Sequence, residues 1–175
     1  MSKELDLRAY IREFPDWPKE GILFRDITPI LLHPRAFTAA INALCCGFGA
    51  SKIDYVAAIE ARGFIFGATV AERLGAGFVP IRKKGKLPGK TRSVTYDLEY
   101  GTDTLQIQSD AIDHGSRVLM VDDLLATGGT MHSACRLIET VGGRVAGITF
   151  LIELAYLKGR EKLADYKVTS AISYD

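Results

Sequence analysis

Cysteine is scarce in this chain, and the three present, Cys45, Cys46 and Cys135, form no Cys-x-x-Cys pair. Nor do they combine with His33, His114 and His132 at zinc-ligand spacing, which sets aside a disulfide framework and a structural zinc site. They read as small apolar side chains in a reducing compartment. No apolar run approaches the length that spans a bilayer. Residues Met1 to Leu7 alternate charge with hydrophobe and lack the apolar core of a leader, so the expected location is the cytoplasm. Excess charge is missing too: 22 Lys and Arg against 21 Asp and Glu leave a net +1, so affinity for a polyanion must come from local clusters. Repeats, low-complexity tracts and linkers are absent. What remains is ordinary globular composition, 47% hydrophobic and 25% charged over 175 residues, enough for one domain with a core.

The hydrophobic pattern divides the chain into alternating elements. Leu5, Ala9, Ile11 and Phe14 predict a short amphipathic helix ended before Pro15, and Phe37, Ala40, Ile41, Leu44 and Phe48 predict a second one after His33-Pro34. Tyr55–Ile59 suits a buried strand, and a helix runs from about Phe64 to Leu74, closed by Gly75. Phe78–Ile81 is a strand, 82–103 a long loop with extended arms, Thr104–Gln108 an alternating strand and Arg117–Val121 a buried one. Met131, Ala134, Cys135, Ile138 and Val141 make one helix face before Gly142-Gly143, and Val145–Ile152 and Val168–Ile172 are the last strands. Buried strands alternating with helices imply an α/β fold, a mostly parallel sheet flanked by helices. Ligands of such sheets bind beyond the strand C-termini, so the loops that begin at Glu60, Arg82 and Asp122 are expected to converge.

Val118-Leu-Met-Val-Asp-Asp-Leu-Leu-Ala-Thr-Gly-Gly-Thr130 carries the strongest chemical signal. A strand ends in two acids, and a Thr-Gly-Gly-Thr turn opens a helix. Glycines let successive backbone N–H groups face one cup, and the helix N-terminus adds positive potential, so the turn fits a phosphate. Thr127 and Thr130 offer hydroxyls, and Asp122 and Asp123 suit sugar hydroxyls or a metal-bound sugar. Apolar residues before two acids also resemble a Walker B strand, with Gly85-Lys-Leu-Pro-Gly-Lys-Thr91 as the phosphate loop. That loop has Lys84 where the pattern needs glycine, holds Pro88, and leads into the extended Ser93-Val-Thr-Tyr, not a helix. The stretch Arg82–Arg92 carries six cations around two glycines and a proline. It offers too few phosphate contacts and no interleaved aromatics for nucleic acid, and reads instead as a mobile lid over a polyanion that excludes water. Arg82, Lys83 and Lys86 are its candidate ligands. Arg62, at the end of the first buried strand, is read as a clamp whose planar fork matches phosphate oxygens.

The Val118–Thr130 segment resembles the phosphoribosyl diphosphate (PRPP) motif of type I phosphoribosyltransferases. The resemblance implies that family's fold over 1–175, with 1–33 contributing to a small N-terminal hood over a base site and 82–103 as flexible lid and arms. It also implies that Asp122 and Asp123 contact the ribose hydroxyls, that Ala126, Thr127, Gly128, Gly129 and Thr130 wrap the 5′-phosphate, and that Glu60–Ala61 is a non-proline cis peptide. Gly21-Ile-Leu-Phe-Arg-Asp-Ile-Thr-Pro29, Tyr96-Asp-Leu-Glu-Tyr-Gly101 and Leu157-Lys-Gly-Arg-Glu-Lys-Leu163 resemble the adenine-using branch, and the likeness runs from about Pro15 to Leu163. By that likeness Phe24 stacks on the base, the backbones of Leu23 and Arg25 read its Watson–Crick edge, and Glu99 lies beside purine N7. Ile27 reads as plain core, and the three histidines as structural or exposed.

The implied reaction is adenine plus PRPP giving AMP and diphosphate, with Glu99 and Arg62 in the catalytic roles. Mg²⁺ would be held mainly by PRPP and water, with no direct protein ligand. Nucleic acid and membranes are not expected as partners; a homodimer is. Two other readings stay open at this point: a PRPP-sensing regulator without catalysis, and a transferase acting on hypoxanthine, xanthine or orotate.

Overall fold

Residues 5–49, 52–97 and 101–175 are described by the computed structural model. By internal contacts the chain falls into two units, Met1–Ala43 and Leu44–Asp175.

The first unit departs from the helix expected over residues 5–14. Asp6 accepts the Arg8 N–H at 3.0 Å and starts a single 3-10 turn, Leu7–Tyr10. A helix this short seldom holds, because its first turn fixes many dihedrals for one hydrogen bond. From Arg12 the chain finds a better partner: strand β1 (Arg12–Phe14) pairs antiparallel with β2 (Phe24–Asp26). Arg12 Nε donates to Asp26 Oδ2 at 2.9 Å across that pair. The other Asp26 oxygen accepts the Thr28 N–H at 2.9 Å, at the first residue of helix α1 (Thr28–Leu32). Burial works against the Asp26 charge, but the bonds from Thr28 and Arg12 outweigh it and hold the carboxyl below its usual range. Helix α2 (Pro34–Cys45) has Pro at its start, with His33 Nδ1 accepting the Ala36 N–H at 3.3 Å. It ends before Phe48, which is buried beyond the helix.

The second unit is a seven-stranded sheet with the order β5-β6-β4-β3-β7-β8-β9. Its strands are β3 (Tyr55–Ile59), β4 (Gly77–Lys83), β5 (Thr91–Asp97), β6 (Thr102–Gln108), β7 (Arg117–Leu125), β8 (Arg144–Leu154) and β9 (Val168–Tyr174). Neighbours from β4 to β9 through β3, β7 and β8 run parallel. The hairpin β5–β6 adds antiparallel strands at the β4 side. Helix α3 (Arg62–Leu74) contacts β3, β4 and β7, and helix α4 (Gly129–Thr140) contacts β5, β6 and β8. Gly75 closes α3 in the left-handed conformation, as expected of a glycine C-cap. The core joins Ala57, Val79, Ile81, Met120, Ile138 and Phe150 in one buried cluster. Val118 to Val121 are all buried, as the uninterrupted apolar run of an interior parallel strand requires. Cys135 packs in this core, its thiol pushed up to about 12 by burial, whereas Cys45 is half-buried and Cys46 exposed. No helix among the described residues is long and apolar enough to cross a membrane.

Candidate functional site

Strand order reverses between β3 and β7: β4 lies on one side of β3, and β7 on the other. A crevice beyond the C-terminal ends at this switch point is where open parallel sheets bind ligands. The register makes it deeper here. Pairing of β3 with β7 stops at Ala58↔Val121, but β7 continues along β8 through Leu125↔Glu153. The strand therefore runs four residues beyond the Val121 end read from sequence, and carries Asp122 and Asp123 past the last β3–β7 pair. There the chain turns through a cis Glu60–Ala61 peptide, as expected, into α3. A cavity of about 410 Å³ opens at this point, lined by Glu60 to Arg62, Asp122, Asp123 and the turn Ala126–Thr130. That is within the size range of small-ligand pockets.

The two carboxylates are not equivalent. Asp123 is buried, and its Oδ2 meets Arg62 Nε at 2.8 Å. Asp122 Oδ1 accepts the Asp123 N–H at 2.9 Å and lies against Gly63, where an added Cβ would come within 2.7 Å of it. Desolvation raises the Asp122 carboxyl well above its usual range, and the adjacent Asp123 charge adds to the effect. Desolvation also raises Asp123, with Arg62 opposing. A paired cation or hydroxyl donors from a ligand would relieve both.

The turn Ala126–Thr130 is held from behind. Gly128 has φ +78°, and a Cβ on it would come 2.3 Å from the Gly159 carbonyl oxygen. A Cβ on Gly159 would come 2.1 Å from the Ala126 carbonyl oxygen. Two backbones thus touch where neither tolerates a side chain. Gly159 opens a 3-10 segment, Gly159–Leu163, anchored by Arg160. Arg160 Nε donates to Glu153 Oε1 at 2.9 Å and Nη1 to the Val168 carbonyl at 2.8 Å, while Nη2 pairs with Glu153 Oε2. Beside the turn, Tyr96 of β5 stands opposite Asp103 of β6. Asp103 pairs with Lys83 Nζ at 3.2 Å.

The cationic stretch differs from the loop expected over 82–103. Arg82 and Lys83 end strand β4, a turn occupies 84–90, and β5 and β6 follow as a paired hairpin. Thr91–Asp97 alternates in register with Thr102–Gln108, so cross-strand pairing turns the expected extended arms into a ribbon. Among the described residues Arg82, Lys83 and Lys86 do not line the cavity. Arg82 Nη2 pairs with Glu60 Oε2 at 2.9 Å, its Nη1 donates to the Lys86 carbonyl at 3.0 Å, and Glu60 Oε1 accepts the Lys83 N–H at 2.6 Å. Burial opposes the Glu60 charge, but these donors prevail and hold its carboxyl below the usual range. The loops beginning at Glu60, Arg82 and Asp122 do converge, with Glu60 as the joint between the first two.

Sequence reasoning missed Glu60, Gly63, Tyr96, Asp103 and Gly159. Glu99 lies outside the described residues. In the first unit Leu23 is exposed, and Phe24 packs edge-on against Trp17 with centroids 4.3 Å apart. Arg25 pairs with Glu13, and Ile27 is buried as expected.

Comparison with known proteins agrees with this geometry. Residues 29–174 match the phosphoribosyl transferase domain. An adenine phosphoribosyltransferase of Pseudothermotoga lettingae is 54% identical over 170 residues, covering 97% of this chain and all (100%) of the relative. The crystal structure of adenine phosphoribosyltransferase from Thermoanaerobacter pseudethanolicus superposes with a TM-score of 0.93 at 53% identity, covering 96% of this chain and 98% of that one. That of Saccharomyces cerevisiae, complexed with adenine and an imino-altritol bisphosphate, gives 0.89 at 45% identity, covering 94% and 95%. The chain belongs to the phosphoribosyltransferase family and, within it, to the adenine phosphoribosyltransferases.

Proposed function

We propose that this protein transfers the 5-phosphoribosyl group from PRPP to adenine, giving AMP and diphosphate in purine salvage. The observation that carries the donor half is the cavity in which Asp122 and Asp123 stand beside the Ala126–Thr130 turn. The acceptor half rests on family membership and on the base motif around Phe24.

In this reading the N–H groups and hydroxyls of Ala126 to Thr130 hold the 5′-phosphate, with Gly128 and Gly129 letting the backbone approach it. Asp122 and Asp123 accept hydrogen bonds from the ribose hydroxyls, which relieves their desolvated charges. Arg62 leaves its ion pair with Asp123 to share the leaving diphosphate, and Arg82, Lys83 and Lys86 approach the same oxygens as the 82–103 segment closes. Bond-breaking at the anomeric carbon runs ahead of attack by N9, so positive charge develops on the ribose as in glycoside chemistry. No nucleophilic side chain is needed; positioning and charge stabilisation suffice. Phe24 stacks on adenine, the Leu23 and Arg25 backbones read its edge, and Glu99 holds or accepts the N7 proton. A 6-oxopurine would leave these backbone groups unpaired, which is a strong ground for rejection.

The carboxylate oxygens of Asp122 and Asp123 are hard donors that fit the hydration shell of a Mg²⁺ ion carried by PRPP, and when bound that ion neutralises the departing diphosphate. A single domain with residues 1–33 serving the base, a homodimeric state and a cytoplasmic setting belong to the same proposal. The test is nucleotide formation from Mg²⁺, PRPP and adenine, hypoxanthine, xanthine or orotate in turn. Product with adenine alone is expected. Product with another base would refute the acceptor assignment, and no product with any base would favour a PRPP-sensing role.

A further inference from the structure

The 3-10 segment Gly159–Leu163 does more than brace the phosphate turn. Its Gly159 end meets the backbone of Ala126 and Gly128, and its Arg160 is clamped to Glu153, Val168 and Ser170 on strands β8 and β9. Two residues further along, past Glu161, stands Lys162. A Cβ built on Gly129 would lie 3.8 Å from the Lys162 ammonium nitrogen, so that cation stands beside the first residue of α4, next to the cavity without lining it. Lys162 is exposed, and among the described residues it forms no ion pair. A positive helix N-terminus with an unpaired ammonium beside it is an unfavourable juxtaposition, because both ends carry the same sign. It becomes favourable once an anion sits between them.

We infer that Lys162 is a further ligand of the 5′-phosphate, supplying the cup with the charge that its backbone N–H groups lack. The inference rests on the assignment of the 5′-phosphate to Ala126–Thr130. The glycine contacts and the Arg160 clamp fix where the lysine stem starts, so the ammonium needs only its own side-chain freedom to reach a phosphate oxygen. Lysine suits this position as a compact, strongly hydrated charge with three donors, one of which can serve the phosphate while the rest face water.

The experiment measures dissociation constants of AMP and adenosine, by calorimetry, for the wild type, Lys162→Gln and Lys162→Arg. AMP and adenosine differ only in the 5′-phosphate, so their ratio isolates the cup. The expected result is about a tenfold loss of AMP affinity in Lys162→Gln, with adenosine affinity unchanged and Lys162→Arg within about threefold of wild type. A wild-type AMP-to-adenosine ratio in Lys162→Gln, or equal losses for both ligands, would overturn the inference. If the wild type itself binds AMP no tighter than adenosine, the assignment of the cup fails, and the inference with it. A wild-type preference for AMP that survives Lys162→Gln refutes the lysine alone.

Discussion

The turn at Ala126–Thr130 and the turn at 84–90 both carry glycines and both suit phosphate, yet they are built in opposite ways. In the first, Gly128 is demanded twice, by a left-handed φ and by the Gly159 carbonyl 2.3 Å from where its Cβ would be. In the second, Gly85 and Gly89 have φ of +81° and +76°, and an added Cβ at either would meet nothing within 4 Å. In the proposed reading the first holds phosphate through fixed backbone dipoles in a packed setting, and the second meets it with long cationic side chains in solvent. Preorganised groups bind without paying to be ordered, whereas exposed lysines lose side-chain entropy on engaging a ligand. A cup that is always formed and a lid that forms around its ligand are the two behaviours these constructions imply.

The largest expected effect belongs to the proposed base site. Glu99→Leu should lower kcat by about 10²-fold or more while leaving the KM for PRPP close to wild type, as loss of a proton-holding group would. Turnover unchanged by the substitution would strike Glu99 from the base site. Next comes a matched pair that sharpens the contrast between the turns. Gly128→Ala should destabilise by about 2–3 kcal/mol, from overlap with Gly159 together with the left-handed φ, and cut PRPP use at least tenfold. Gly85→Ala should cost only the backbone term, about 1 kcal/mol. Equal melting temperatures for the two variants would show that the Gly128–Gly159 contact is not rigid.

Asp122→Asn should separate function from stability. Because burial and Asp123 raise the folded-state pKa of Asp122, its ionised form opposes folding. That penalty is absent below the usual carboxylate range, where both states are protonated, and complete above the raised folded-state pKa. The variant should therefore weaken PRPP binding yet melt higher than wild type at neutral pH, by about 2–4 °C per kcal/mol, with the gain disappearing in acid. A lower melting temperature at neutral pH would mean that the carboxylate is stabilised in the free protein. The smallest effect is expected from Lys84, Lys86 and Lys90 changed together to Ala: activity lower by about fivefold to tenfold, Tm unchanged. A fall in Tm would make this turn structural, like its counterpart.

The same contrast explains what the sequence made legible. Val118–Thr130 could be read directly because its chemistry is local: a strand, two acids and a glycine turn are contiguous, and their order specifies the cup. The buried strands and helix α3 were equally plain from apolar runs and a terminal glycine. The residues that hold the site in place were not legible, because each acts through a distant partner. Glu60 joins Arg82 to the β3 end across 22 positions, and Gly159 braces a turn about thirty residues before it. Tyr96 reads as one more alternating strand residue until pairing with β6 brings it to Asp103. Near the N-terminus, helical spacing over Leu5–Phe14 lost to strand pairing with Phe24–Asp26, a contact no local pattern reveals.

The most direct test of the division between cup and lid is a crystal structure with AMP bound. The account predicts phosphate oxygens about 2.7–3.1 Å from the N–H groups of Thr127 to Thr130, with the ribose hydroxyls on Asp122 and Asp123. A phosphate seated instead among the lysines of the 84–90 turn, with the Ala126–Thr130 cup empty, would contradict it.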